Sequence, residues 1–343
     1  MSRRAGRRPE WARLLPALAT VMALAALAGS AQAAGPTVSL TPVGAAGAKG
    51  YFVYTAHGGS RISGQVSLVN TSGARGAVLL YAVDATTGQT TGAVYQSRAR
   101  RRHDVGAWTK LPIRRVVLGS HGRAQVSFRL RVPRGARGGQ HLGAIVAQPV
   151  SPVRRYSTRK GSHAFHINVQ ALSVLAVQVN VPTRPVQRLT VNGCRAGGPH
   201  GFQTLFVGMA NTGNQFVKGT GTVTVARGAA TAIKHQSFAL DTFLPGTSIS
   251  YPVVLTGKPL RAGNYRAVVS LTYGKRHHVT RVLACKISNH SIVQVFGAAN
   301  AAQITPPGGG SGPSALVIVI GGIALLALGF GAAVLLNRRA QQH

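Results

Sequence analysis

The clearest pattern in the chain is the alternation over residues 124–132. Ala124, Val126, Phe128, Leu130 and Val132 share one face, and Gln125, Ser127, Arg129 and Arg131 share the other. A period of two is that of a pleated strand with one face buried, and here the wet face is basic. Residues 165–181 keep the same period for longer, until Pro182 and Pro185 stop the run and mark a boundary. Earlier, 62–69 and 77–83 read as strands joined by the turn Asn70-Thr-Ser-Gly73. After the boundary the pattern restarts at Leu189 and Val191 and recurs over 203–210, 220–226, 248–255, 265–273 and 279–287. Short strands at this spacing, broken by Gly and Pro, predict an all-β chain of two tandem β-sandwiches, over 35–183 and 184–296. The pattern weakens over 86–118 and 151–162, which read as long loops.

The ends read differently. Residues 315–336 are a run of 22 residues without a charge, which as a helix at about 1.5 Å per residue reaches roughly 33 Å, the span of a bilayer core. Arg338 and Arg339 follow it, so the short tail 337–343 is expected in the cytoplasm and nearly all of the protein outside. At the other end Arg3, Arg4, Arg7, Arg8 and Arg13 precede a short apolar stretch and the small-residue site Ala31-Gln-Ala-Ala34. Residues 1–34 therefore read as a cleavable secretory signal and not as a first span. Residues 297–314, with Pro306-Pro-Gly-Gly-Gly-Ser-Gly-Pro313, read as a flexible stalk. The localisation expected is the cell membrane, single-pass, with both sandwiches extracellular.

Charge sharpens this picture. The chain has 39 Lys and Arg against four Asp and Glu. Five of the cations precede residue 35 and two follow residue 336; the segment between holds the rest, with Asp84, Asp104 and Asp241 as its acids. Such an excess cannot be neutralised within the fold and creates a positive field that draws polyanions. Outside a cell these are wall polymers and lipid headgroups. The cations concentrate in the two weakly patterned stretches, and Arg98, Arg100, Arg101, Arg102, Arg129, Arg131, Arg154 and Arg155 are the candidates for binding an anionic polymer. Nucleic acid fits less well, because apart from Trp108 and Tyr156 the basic stretches lack aromatics on which bases would stack.

The two halves resemble each other locally. Leu68-Val-Asn-Thr-Ser-Gly73 answers to Met209-Ala-Asn-Thr-Gly213, and Arg137-Gly-Gly-Gln-His-Leu-Gly-Ala-Ile145 to Arg261-Ala-Gly-Asn-Tyr-Arg-Ala-Val-Val269. Both cysteines, Cys194 and Cys285, fall in the second half, near its first and last strands. In an oxidising compartment, on strands that can lie side by side, they are expected to pair.

Nothing in the sequence argues for an enzyme, a metal or a cofactor. Acid–base catalysis needs paired acids, and the three expected outside are far apart in sequence. There is no Gly-x-Ser-x-Gly, His-Glu-x-x-His or phosphate-binding Gly loop. His163 and His166 are three apart beside a strand and tend to opposite faces. Asp84, which follows the strand at 77–83, reads as the start of an Asx-type turn or, failing that, as a ligand contact, and Trp108 as a second such candidate.

The first domain resembles the peptidoglycan-binding domain of the WxL-interacting protein family. The resemblance rests on Tyr51-Phe52, Val69-Asn-Thr-Ser72, Tyr81-Ala-Val-Asp-Ala-Thr-Thr-Gly88, Trp108-Thr-Lys-Leu111, Val132-Pro133 and Gly139-Gln-His-Leu-Gly-Ala-Ile-Val146. It covers about residues 38–181, and the second domain by position more than by residues. It implies two immunoglobulin-like β-sandwiches between a signal peptide and a C-terminal transmembrane helix, in a non-catalytic bacterial surface protein. The first domain would bind peptidoglycan and the second a protein partner. A receptor or assembly subunit that binds another protein is the alternative.

Overall fold

The computed structural model describes residues 35–152, 154–160, 163–228 and 232–304. The expected signal peptide, the Pro/Gly-rich part of the stalk, the apolar segment at 315–336 and the basic tail lie outside the described residues. Among the described residues no helix is long and apolar enough to cross a membrane.

The first domain is a sandwich. One sheet has the order β1 (Val38–Val43), β3 (Arg61–Asn70), β8 (Arg123–Arg131), β6 (Thr109–Lys110). The other has the order β2 (Phe52–Thr55), β12 (Ser173–Val181), β9 (Gly139–Pro149), β4 (Gly76–Gly88), β5 (Gly92–Tyr95), with β7 (Arg115–Leu118) also on β4. All pairs are antiparallel except β2 with β12. β8 buries Val126, Phe128 and Leu130 and exposes Arg123, Gln125, Ser127, Arg129 and Arg131, the faces its alternation predicts. Phe128 meets Phe52 edge to face across the core, ring centroids 5.1 Å apart. Burying each such side chain contributes about 1.5–3 kcal/mol. β9 is instead buried on both faces. Ile145 and Ala147 enter the main core, while Ala144 and Val146 join Val83 beneath Tyr81 and Tyr95. Its run from Leu142 to Ala147 is accordingly apolar without alternation.

The second domain sets β13 (Leu189–Gly197), β14 (Thr204–Asn211) and β17 (Ser248–Val254) against β16 (Lys234–Phe243), β15 (Val217–Ala226), β18 (Gly263–Tyr273) and β19 (His277–Ile287). The strand order is that of the first domain. β1-β3-β8 corresponds to β13-β14-β17, and β5-β4-β9-β12 to β16-β15-β18-β19. Both are immunoglobulin-like sandwiches. The expected disulfide is present: Cys194 on β13 and Cys285 on β19, with Cα atoms 5.2 Å apart, join the two sheets.

Four segments differ from their sequence reading. The stretch 86–118 holds β5, β6, β7 and a helical turn at Val105–Trp108. The long strand expected over 165–181 is two: β11 (His163–Val169) and β12, separated by a break at 170–172. β11 pairs with β10 (Arg154–Lys160), which was expected as loop, in a separate two-stranded sheet. Alternation reports which face a residue takes and is blind to a change of partner. Finally, the expected stalk begins late. Ser288 caps a helix at Asn289–Phe296, and a second helix, Ala298–Ile304, buries Ala301 against the core of the second domain. Its Ala-rich sequence favours helix, and its apolar side covers the open end of that sandwich.

The linker between the domains is tied down. Asn214 accepts from Val186 N–H at Oδ1 (2.7 Å) and donates from Nδ2 to the Arg184 carbonyl (2.9 Å). Gln140 N–H donates to the Asn214 carbonyl (2.8 Å), and Phe216 N–H to Gln140 Oε1 (2.6 Å). Gly139, at φ 133°, approaches so closely that a Cβ there would stand 2.5 Å from the Asn214 carbonyl oxygen. On the other side Leu244 N–H donates to Thr87 Oγ1 (2.9 Å), which also lies 2.7 Å from Thr247 Oγ1. Strand direction then fixes the two poles. β9 starts at this junction and runs out toward the β10–β11 hairpin. The β18–β19 turn rests on the linker at Gln187, so β19 ends, with the terminal helices, at the opposite pole.

Candidate functional site: a cationic cleft on the first domain

The site is made by a gap at the edge of a sheet. β7 pairs with β4 at Gly76 to Leu79 and β5 pairs with it at Ala85 to Gly88, so the outer edge of β4 between them has no strand beside it. A cleft of about 480 Å³ opens there, floored by Leu80, Ala82, Thr109 and Leu111. Around it stand Arg98, Arg102, Lys110, Arg114, Arg115 and Arg129, and among the described residues no carboxylate lines it. Arg102 Nη1 donates to the Ala82 carbonyl at 3.3 Å, and the Arg98 guanidinium lies over the Tyr81 ring, 5.4 Å from its centroid. The Tyr81 hydroxyl donates to Gln148 Oε1 (2.9 Å), and burial raises its pKa against the opposing pull of Arg98.

Asp84 explains why the basic loop lies where it does. Its carboxylate is 5% exposed and accepts three backbone N–H groups, from His103 (2.5 Å) and Asp104 (3.1 Å) at Oδ2 and from Gly106 (2.7 Å) at Oδ1. Charge-assisted bonds of this kind offset the cost of burying an ionised group. They tie down the loop that carries Arg98 and Arg102. Gly106 permits the approach, since a Cβ there would meet the Val83 backbone at 2.4 Å. The expected turn at Asp84 does not form: β4 continues to Gly88, and the donors come from about twenty residues onward instead of two.

The cleft gathers Arg98, Arg102 and Arg129 from the sequence candidates. Arg100 and Arg101 are exposed on the same loop without lining it. Arg131 lines a neighbouring hollow with Arg61 and Arg134, and Arg154 and Arg155 sit on β10 of the separate hairpin. Lys110, Arg114, Arg115 and Thr109 were missed, because they lie in the stretch read as a loop, and only the β6–β8 and β4–β7 pairings bring them to the cleft. Trp108 is not a surface contact. It is 7% exposed and tilts against His141, ring centroids 4.8 Å apart, in the hollow between the domains.

That hollow holds a second polar arrangement. His141 Nδ1 lies 2.8 Å from Asp104 Oδ1 and Nε2 lies 2.7 Å from the Arg137 carbonyl, so both ring nitrogens face acceptors, as the imidazolium requires. Burial opposes the charge, but the hydrogen bonds and the Asp104 carboxylate outweigh it, and the His141 pKa is raised. Among the described residues no group of three or more His, Cys, Asp or Glu is placed to hold a metal ion.

No family model and no curated protein matches the chain. Solved structures with a general likeness include the class 5 fimbriae chaperone CfaA, at 10% identity over 72% of this chain and 99% of that one, with a TM-score of 0.33. The CupB2 chaperone of Pseudomonas aeruginosa aligns at 11% identity over 67% and 96%, with a TM-score of 0.28. A chaperone–tip subunit complex of Acinetobacter baumannii Csu pili aligns at 10% identity over 63% and 90%, with a TM-score of 0.34. Likeness at this level says nothing of what the chain binds.

Proposed function

We propose that this is a non-catalytic bacterial cell-surface protein, held by its C-terminal apolar segment, that engages the cell wall through the cationic cleft of its first domain. The wall ligand is peptidoglycan or its anionic polymers. The observation that carries this reading is six cations around one cleft that, among the described residues, no carboxylate lines, in a chain whose ends read as an export signal and a membrane anchor. The resemblance of the first domain to the WxL-interacting family points the same way. The test is co-sedimentation of the purified protein with cell-wall sacculi, before and after removal of their anionic polymers and across a salt series. Retention on intact sacculi, reduced several-fold when Arg114 and Arg115 are both replaced by Ala, is the expected outcome. Equal retention of that variant and the native protein overturns the role of the cleft.

A second reading, a receptor or assembly subunit for another surface protein, is favoured by the β10–β11 hairpin. Among the described residues it is a two-stranded sheet with no further strand on either side; Ile167 on β11 is 58% exposed and Leu172 just after it 50%. Open edges of this kind accept an added strand. Loss of sacculus binding together with capture of a defined surface subunit would move the function there.

A further inference from the structure

The floor of the cleft holds a polar atom that its surroundings leave unpartnered. Thr109 is 3% exposed, and its Oγ1 is buried without a hydrogen-bond partner among the described residues. β6 pairs Thr109 with Leu130 and Lys110 with Arg129, so the Thr109 side chain turns inward between the sheets, to the cleft floor, while Lys110 stands outside with Arg129. A buried hydroxyl without a partner is destabilising, and such a group in a folded protein calls for something that uses it.

Ala82 supplies a second donor. Leu80 N–H donates to the Arg114 carbonyl (2.9 Å) and the Asp84 carbonyl accepts from Gln96 N–H (2.9 Å), both off the outer edge of β4. By the alternation of an antiparallel strand, the N–H and C=O of Ala82 point the same way. The carbonyl takes Arg102, and the N–H faces the cleft. Features that read a sugar are missing among the residues lining the cleft. No carboxylate is there to accept from hydroxyls, and the one aromatic ring, Tyr81, is covered by Arg98 with its hydroxyl engaged.

We infer that the cleft seats a phosphate of a phosphodiester-linked wall polymer. The Thr109 hydroxyl and the Ala82 amide donate to its oxygens, and the surrounding arginines and Lys110 neutralise it and its neighbours along the polymer. This rests on the wall-binding reading and adds the class of ligand. A phosphodiester repeat brings one negative charge per unit and no cation, whereas a peptide cross-link is a neutral amide that gives six cations nothing to neutralise. The polymer is favoured over a lipid headgroup because the whole second domain lies between the cleft and Ile304, where the chain heads for the expected anchor.

The test titrates the full-length protein, in an uncharged detergent, with a glycerol-phosphate oligomer and with a polyglutamate oligomer of equal charge. Native protein is expected to prefer the phosphate oligomer roughly tenfold, the size of one hydrogen bond to a charged group. Thr109→Val, which keeps the shape, should remove that preference while raising the melting temperature; Thr109→Ser should keep it. Equal binding of the two oligomers by the native protein, or a preference that survives Thr109→Val, overturns the phosphate seat. If sacculus retention persists in that case, the broader reading stands without it; if native protein binds neither oligomers nor sacculi, both fall. Competition by anionic phospholipid vesicles as strong as that of the oligomer, with the same dependence on Thr109, overturns the wall polymer in favour of a membrane.

Discussion

Asn70 in the first domain and Asn211 in the second do the same work at the same place. Each ends the second strand in the order of its sheet, β3 or β14, is essentially buried, and donates through Nδ2 to two carbonyls, one of them four residues ahead. The other is Gly119 in the first domain (2.7 Å) and Phe243 in the second (2.9 Å). Each Oδ1 accepts the N–H two residues on, and each backbone N–H is paired, with Gly122 or Thr247. The glycines that open the corresponding inner strands match too, at φ 133° for Gly139 and 155° for Gly263. On this shared frame the domains diverge. The first lengthens the path between its β4 and β8 strands into a basic segment held by Asp84, and the second closes itself with a disulfide. A frame set by a few buried polar contacts leaves its connections free to carry either a ligand site or a covalent clamp.

The clamp gives the largest way to separate the two domains. Replacing Cys194 and Cys285 by Ala should destabilise the second domain by about 4 to 5 kcal/mol in the chain-entropy model and leave the unfolding of the first unchanged. Calorimetry of the native protein and the variant would show one transition moving past the other; a uniform shift of both would mean that the domains unfold as one unit. Next come the asparagines. Asn70→Ala and Asn211→Ala each leave two carbonyls and an N–H without their partner, at a cost of about 3 kcal/mol each. Chemical denaturation should find the two penalties alike, and a penalty in one domain alone would break the equivalence.

The smallest effect concerns His141, whose place in the second domain is taken by Tyr265. His141 Nε2 lies 2.7 Å from the Arg137 carbonyl and the Tyr265 hydroxyl donates to the Arg261 carbonyl at 2.7 Å, each four residues back, but only the histidine carries a charge. Its pKa is raised in the folded state, so its contribution is complete below the unfolded value of about 6.5 and is lost as pH rises through the folded value. Melting temperature should therefore decline modestly above pH 6.5 in the native protein, and His141→Gln should flatten that slope. An unchanged slope would show that the Asp104 contact adds nothing to stability.

The frame was legible because it rests on local chemistry. The alternation in β8, the Asn-Thr strand ends and the Gly turns before β9 and β18 are each written within a few residues. So are the two cysteines, once the first and last strands are recognised. The cleft was only half legible. Arg98 and Arg102 stand out as a run, but Arg114, Arg115 and Lys110 join them through pairings that alternation does not encode. Thr109 gives no signal, since an unpartnered hydroxyl exists only in three dimensions. Asp84 reads as the start of an Asx-type turn, and it does accept backbone N–H groups, but from residues about twenty positions on, which local sequence cannot show; Trp108, which reads as a turn or ligand contact, is buried against His141. The Ala-rich stretch after Gly297 reads as stalk because it is short and runs into the Pro/Gly-rich segment, although its alanines favour helix and Ala301 packs on the second core.

The disulfide has a consequence for mechanics. Cys285 lies two residues before the end of β19, the strand that leads into the terminal helices. Tension applied to the chain beyond Ile304 can peel away the two helices and the last two residues of that strand, and then it meets a covalent bond to Cys194 on the opposite sheet. From there the load passes to β13, whose first residue follows directly on the braced linker. A pull applied beyond Ile304 against the first domain is thus carried past most of the second sandwich without unzipping it, and the first domain, which has no disulfide, becomes the element that yields.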